Sequence, residues 1–109
     1  MTDRELLELA AKAAGIELVW HGDTDPFCFA ETVAGIKWNP LTDNGDALLL
    51  AATLGIDIEW RADGRVAAYR HATANGHCFT AFESSREDRT ANVRRAIVRS
   101  AAEIGRNMK

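Results

Sequence analysis

Very little in this sequence announces a chemistry. Of 109 residues, two are cysteine, two proline and one tyrosine, and the aromatic share is 7%. Two isolated thiols, Cys28 and Cys78, exclude a disulfide-dense secreted scaffold. Each stands in apolar company, Phe27-Cys28-Phe29 and His77-Cys78-Phe79. Burial there raises a thiol's pKa and leaves a small, inert apolar residue. No CxxC, HxxxH or HExxH spacing links the cysteines to His21, His71 or His77, so a zinc-type site has no motif. His71 and His77 flank an Asn75-Gly76 turn and are close enough in sequence to approach each other, but a structural or solvent-facing role is expected. GxSxG and P-loop patterns are missing as well. The expectation is a non-catalytic chain with no cofactor and no metal.

Long apolar runs are also lacking. None approaches the roughly 20 residues that span a bilayer. The start, Met1-Thr2-Asp3-Arg4-Glu5, is acidic and helix-like, without the basic and apolar segments of a secretory signal. These features predict a cytoplasmic protein with no membrane partner. The length suits one domain, residues 1–109, large enough to bury a core unaided.

What the sequence does have is an uneven charge distribution. The net charge is −3, which argues against a polycation built for nucleic acid. Residues 1–60 carry three Lys/Arg against eleven Asp/Glu, and residues 86–109 carry seven against three. Two readings stand: charge matching between neighbouring elements, or a basic surface on the last element. Asp43 with Asp46 suits a helix N-terminus, and Asp57 with Glu59 the wet face of a strand. Neither pair is assigned to catalysis.

Along the chain, residues 2–14 read as a helix. Thr2 and Glu5 have capping-box spacing, Leu6, Leu9, Ala10 and Ala13 share a face, and Gly15 is a good stop. Glu17 to Trp20 is a short strand, followed by a turn at 22–26. Phe27 to Ala34 is either a strand or an ordered loop. Asn39 before Pro40 is pushed from helical angles. Thr42 or Asp43 then caps a helix from Asn44 to Leu54, closed by Gly55. Ile56 to Trp60 alternates as a half-buried strand, Asp63-Gly64 signals a hairpin, and Arg65–Tyr69 and His77–Glu83 complete a three-stranded meander. Ser85 is placed to cap the last helix, whose apolar stripe runs through Thr90, Val93, Ile97, Ala101, Ile104 and Met108.

This order of helix, strand, helix, three-stranded meander and helix predicts an α+β fold. Its expected form is a three-layer α/β/α sandwich around a central antiparallel sheet of 3–5 strands.

Two surfaces qualify for binding. Arg95, Arg99 and Arg106 share one side of the last helix and can meet phosphates. A solvated helix with cations near its C-terminus gives the same pattern. The second surface belongs to the helix at 44–54, uncharged from Ala47 to Leu54. With Leu48, Leu50, Ala51 and Leu54 turned to the sheet, Leu49, Ala52 and Thr53 face away. Either another chain covers them, a host protein or a second copy in a homodimer, or residues 20–37 do.

The segment Trp38-Asn39-Pro40-Leu41-Thr42-Asp43-Asn44-Gly45-Asp46-Ala47 resembles a motif of small phage and prophage proteins, the phage ABA sandwich domain family. The stretches Arg94 to Val98 and Glu103 to Arg106 look like the end of such proteins. The resemblance implies helices on both sides of a central antiparallel sheet and gives no catalytic residues. Read from the residues themselves, Trp38, Asn39, Pro40 and Asp46 are expected to be structural: Trp38 packs against the start of the second helix and fixes the chain's entry, and Asp46 favours that helix's positive end. Similar proteins often carry a charge where Leu49 stands. The function the resemblance suggests is a phage accessory protein that binds a host macromolecule, such as a CRISPR effector or another defence component. Ligand or nucleic-acid binding through the basic last helix is the alternative.

Overall fold

The computed structural model describes residues 2–22, 28–62, 64–71, 78–83 and 88–108, with His71 and residues 78–83 described by backbone alone. Helix α1 (Asp3–Ala14) starts where the Thr2 hydroxyl accepts the Glu5 amide at 3.1 Å, and it stops at Gly15, whose φ of 73° is left-handed. Strands β1 (Leu18–His21) and β2 (Phe29–Thr32) pair antiparallel, with Leu18 opposite Thr32 and His21 opposite Phe29. Helix α2 (Asn44–Leu54) leads into β3 (Asp57–Trp60), β4 (Val66–His71) and β5 (Cys78–Glu83), and helix α3 (Arg89–Arg106) follows.

Two expectations are corrected here. Among the described residues the five strands divide into separate antiparallel sheets, β1-β2 and β3-β4-β5, which form no single central sheet and no three-layer sandwich. The helices stack on one another instead. α3 packs on β4 and β5, and α1 and α2 pack on α3. The stretch 27–34 contains a true strand, β2, but its inner face is used locally. Trp20 and Ala30 share the inner face of the hairpin, and Leu18 and Trp20 pack against the helical core. Arg4 of α1 lies 4.5 Å over the Trp20 ring, a cation–π contact that ties the hairpin to the first helix. The turn expected at 22–26 beyond Gly22, the turn at Asn75-Gly76, half of the Asp63-Gly64 turn, and the Ser85 cap fall outside the described residues. The last helix is capped by Asp88, whose carboxylate accepts the Thr90 amide at 2.8 Å. That bond, first, holds the Asp88 carboxyl below its ordinary value.

α3 is the spine of the molecule. The expected single apolar stripe is corrected by burial on nearly every side: Asn92, Ala96, Ile97, Val98, Ser100, Ala101, Ala102, Ile104 and Gly105 are all covered, whereas Thr90 and Met108 are exposed. Most of these side chains are small, and so are Ala10 and Ala11 on the facing side of α1. The helices run parallel, since Asp3 meets Arg95, Leu9 meets Gly105, and Lys12 Nζ reaches the Met108 carbonyl at 3.2 Å. Where α1 passes Gly105, an added Cβ would overlap the Leu9 carbonyl oxygen.

The corner before α2 is a closed set of hydrogen bonds. Trp38 is buried, 6% exposed, and its amide donates to the Ala30 carbonyl at 3.0 Å. Pro40 is fully buried. The Asn39 amide donates to Asp46 Oδ2 at 2.9 Å, and Asn39 Oδ1 accepts the Leu41 amide at 3.0 Å. The Asp46 amide donates to Asp43 Oδ1 at 2.8 Å, which makes Asp43 the N-cap. From α3, Arg94 donates through Nε to the Leu41 carbonyl at 2.8 Å and through Nη1 to Asn44 Oδ1 at 2.7 Å. The corner is thus anchored at both ends, by β2 and by α3, and it sets the direction in which α2 leaves.

Two substitutions test this frame. Gly105→Ala, which in an open helix would add about 1 kcal/mol, is expected here to cost about 1–3 kcal/mol by overpacking against Leu9. A urea midpoint at or above wild type would show that the two helices separate freely. Trp38→Ala is expected to cost about 3–5 kcal/mol, and an unchanged thermal melt would show the ring contributes nothing to the core.

Candidate functional site

α2 exposes what its composition would be expected to hide. Its inner arc holds Ala47, Leu50, Ala51 and Leu54, all buried. At 100° per residue the opposite arc holds Leu48, Leu49, Ala52 and Thr53, all exposed. Leu48 is 68% and Leu49 66% exposed. The expectation that Leu48 turns inward is therefore corrected: Ala47 takes the inner position, and Leu48 joins Leu49 outside. α2 also packs on α3 rather than on the sheet. Both arcs are apolar, so periodicity carries no information about which one faces the core. The helix closes at Gly55 with φ of 67°, its amide donating to the Ala51 carbonyl. The face is flanked by acid: Asp43 at its start and Asp57 just past its end are exposed, and Asp46 is half-buried.

The arginines of α3 stay on one strip, the only open side of that helix. Their charges are engaged. Arg95 Nη1 lies 3.1 Å from Asp3 Oδ1, with its side chain 22% exposed. Arg106 Nη1 lies 3.3 Å from Glu103 Oε1. Arg99 is half-buried and partnered. Of these pairs, Arg95 with Asp3 joins the last helix to the acidic first half, whereas Arg106 with Glu103 lies within α3.

Other candidates are also used up locally. Among the described residues no group of three or more His, Cys, Asp or Glu could hold a metal ion. His77 and the side chains of His71 and Cys78 fall outside the description. His21 Nε2 lies 2.7 Å from Glu31 Oε1, and its ring stacks on Phe29 at 5.0 Å. Lys37 sits 5.1 Å over the same Phe29 ring. This layered outer face of the β1-β2 hairpin had no sequence signal, because it depends on the strand register and on the return of the chain at Lys37. Cys28 is only half-buried, less covered than its apolar neighbours suggested. A shallow depression beside the corner presents Asp43 and Asp46, but both carboxylates already accept backbone amides.

No helix among the described residues is long and apolar enough to cross a membrane. Comparison with protein-family models, with curated proteins and with solved structures returns no match for this chain.

Proposed function

We propose that this chain is a non-catalytic binding module that grips another protein through the outer face of α2. Leu48 and Leu49 stand side by side on a helix with no charge from Ala47 to Leu54, two-thirds exposed, and this is the observation that carries the reading. A solvated helix normally places charges on its wet side. An apolar ridge of this kind suits a helix-in-groove interaction, in which leucines fill a cleft and a polar rim fixes register. The rim here is acidic, so the fitting partner has an apolar cleft edged with lysine or arginine, and its association should slow as salt rises.

The likeness of Trp38 to Ala47 to the phage ABA sandwich motif suggests which side the partner stands on. The protein would be a phage or prophage accessory factor, cytoplasmic in a bacterial host, acting on a host protein such as a component of a defence system.

Leu49→Arg tests the reading. An exposed surface change is expected to alter stability by no more than about 0.5 kcal/mol, leave the circular dichroism spectrum intact and remove capture of the host partner. Thr90→Arg, on an exposed site of α3, should capture as wild type does. A folded Leu49→Arg protein that retrieves the same partner would remove α2 from the interface. An unfolded one would show that the face is covered within the chain.

A further inference from the structure

Strand β3 is exposed along its whole length, and it is an edge strand of its sheet. Sequence alternation led to the expectation of one buried face, and the finding is different. Ile58 stands opposite Ala68 and Trp60 opposite Val66, so these four residues share one face of the sheet. Val66 and Ala68 are buried under α3, but α3 lies over β4 and β5, and Ile58 and Trp60 remain 36% and 57% exposed. An uncovered apolar edge is a pairing template unless something blocks it, and β3 carries no proline, lysine or bulge.

The backbone fixes which groups face outward. The Arg61 amide donates to the Arg65 carbonyl at 2.9 Å, which makes Arg61 and Arg65 a hydrogen-bonded pair. By antiparallel alternation Glu59 with Ala67 and Asp57 with Tyr69 are such pairs too. Ile58 and Trp60 then direct their N–H and C=O groups away from β4, toward the open edge.

We propose that β3 is the seam of a symmetric dimer, two copies pairing antiparallel about Glu59. A two-fold axis there places Ile58 opposite the second copy's Trp60, twice, and each is a hydrogen-bonded pair of outward-facing backbone groups. It joins two three-stranded sheets into one of six. On one face the four apolar side chains form a continuous ladder across the seam. On the other, Asp57 lies opposite Arg61 of the second copy, twice, so the strand is complementary in charge to its own reverse. The two Glu59 carboxylates meet at the axis, each retaining its own Arg61 within 3.7 Å. Sliding the copies two residues one way sets Asp57 against Glu59, acid on acid. Sliding them the other way sets Trp60 against Trp60 and shortens the overlap.

Sedimentation velocity and cysteine cross-linking test this register. The wild-type chain should sediment as a dimer, and Trp60→Lys as a folded monomer. Asp57→Arg should raise the dimer's Kd roughly tenfold by turning two attractive cross-strand pairs repulsive. The double change Asp57→Arg with Arg61→Asp should restore it, because each chain then supplies the reversed pair. Glu59→Cys should form a disulfide-linked dimer under mild oxidation, since residues facing at a non-hydrogen-bonded site have Cα atoms about 4.5 Å apart. Wild type, which keeps Cys28 and Cys78, should not. A wild-type monomer, a Trp60→Lys dimer, a double swap without rescue, or a Glu59→Cys chain that stays monomeric would each overturn the proposal.

Discussion

The close passage of α1 over Gly105 is the constraint on which the rest of the molecule hangs. Because Gly105 has no side chain, the Leu9 carbonyl can sit against the backbone of α3. The alanines and serine along both helices continue that closeness to the Arg95–Asp3 end. A helix held this tightly on one side has its other sides free to be covered, and they are, by α2 and by β4 and β5. Arg94 then projects from the same spine to hold the Trp38–Asp46 corner, and the corner aims α2. The outward leucines of α2 are therefore a consequence of where α3 sits, several steps removed.

The parts of this chain legible in its sequence are those governed by neighbours a few residues apart. Thr2 with Gly15, and Asp43 with Gly55, define their helices because capping is a contest between a side chain and the next turn's amides. The bounds of α2 emerged from such signals. Its orientation did not, since Ala47 and Leu48 are equally apolar and only the position of α3 decides between them. Alternation in Ile56–Trp60 marked a strand correctly but could not say that its apolar side would go uncovered, because cover comes from a helix thirty residues later. The splitting of the strands into two sheets was illegible for the same reason. Nothing local distinguishes a hairpin that joins a central sheet from one held to α1 by Arg4 over Trp20. Of the candidate site, Leu49, Ala52 and Thr53 lie on the exposed arc as their spacing suggested, and Leu48 was hidden by the helix's lack of contrast.

The outer arc of α2 and the edge at β3 both leave apolar side chains in water. They follow each other in sequence, separated by Gly55 and Ile56, yet they present different backbone chemistry. A helix has already satisfied its amides and offers only side chains. An edge strand offers a row of unpaired backbone groups as well. The helix suits a cleft of another shape, and the strand suits a copy of itself. A dimer formed at one would display the other twice, which raises apparent affinity for any partner that has two such clefts within reach.

The parallel contact between α1 and α3 also has a temporal consequence. Asp3 and Arg95, or Leu9 and Gly105, stand more than ninety residues apart in the chain. A ribosome needs on the order of 10 s to make that much protein. During that interval α1 has no spine to lie against, and the apolar residues of α1, the hairpin and α2 emerge without their cover. Contacts so remote in sequence also slow the search once synthesis ends. Those residues stay uncovered until α3 is made, and loss of that helix would cost the whole fold rather than a tail.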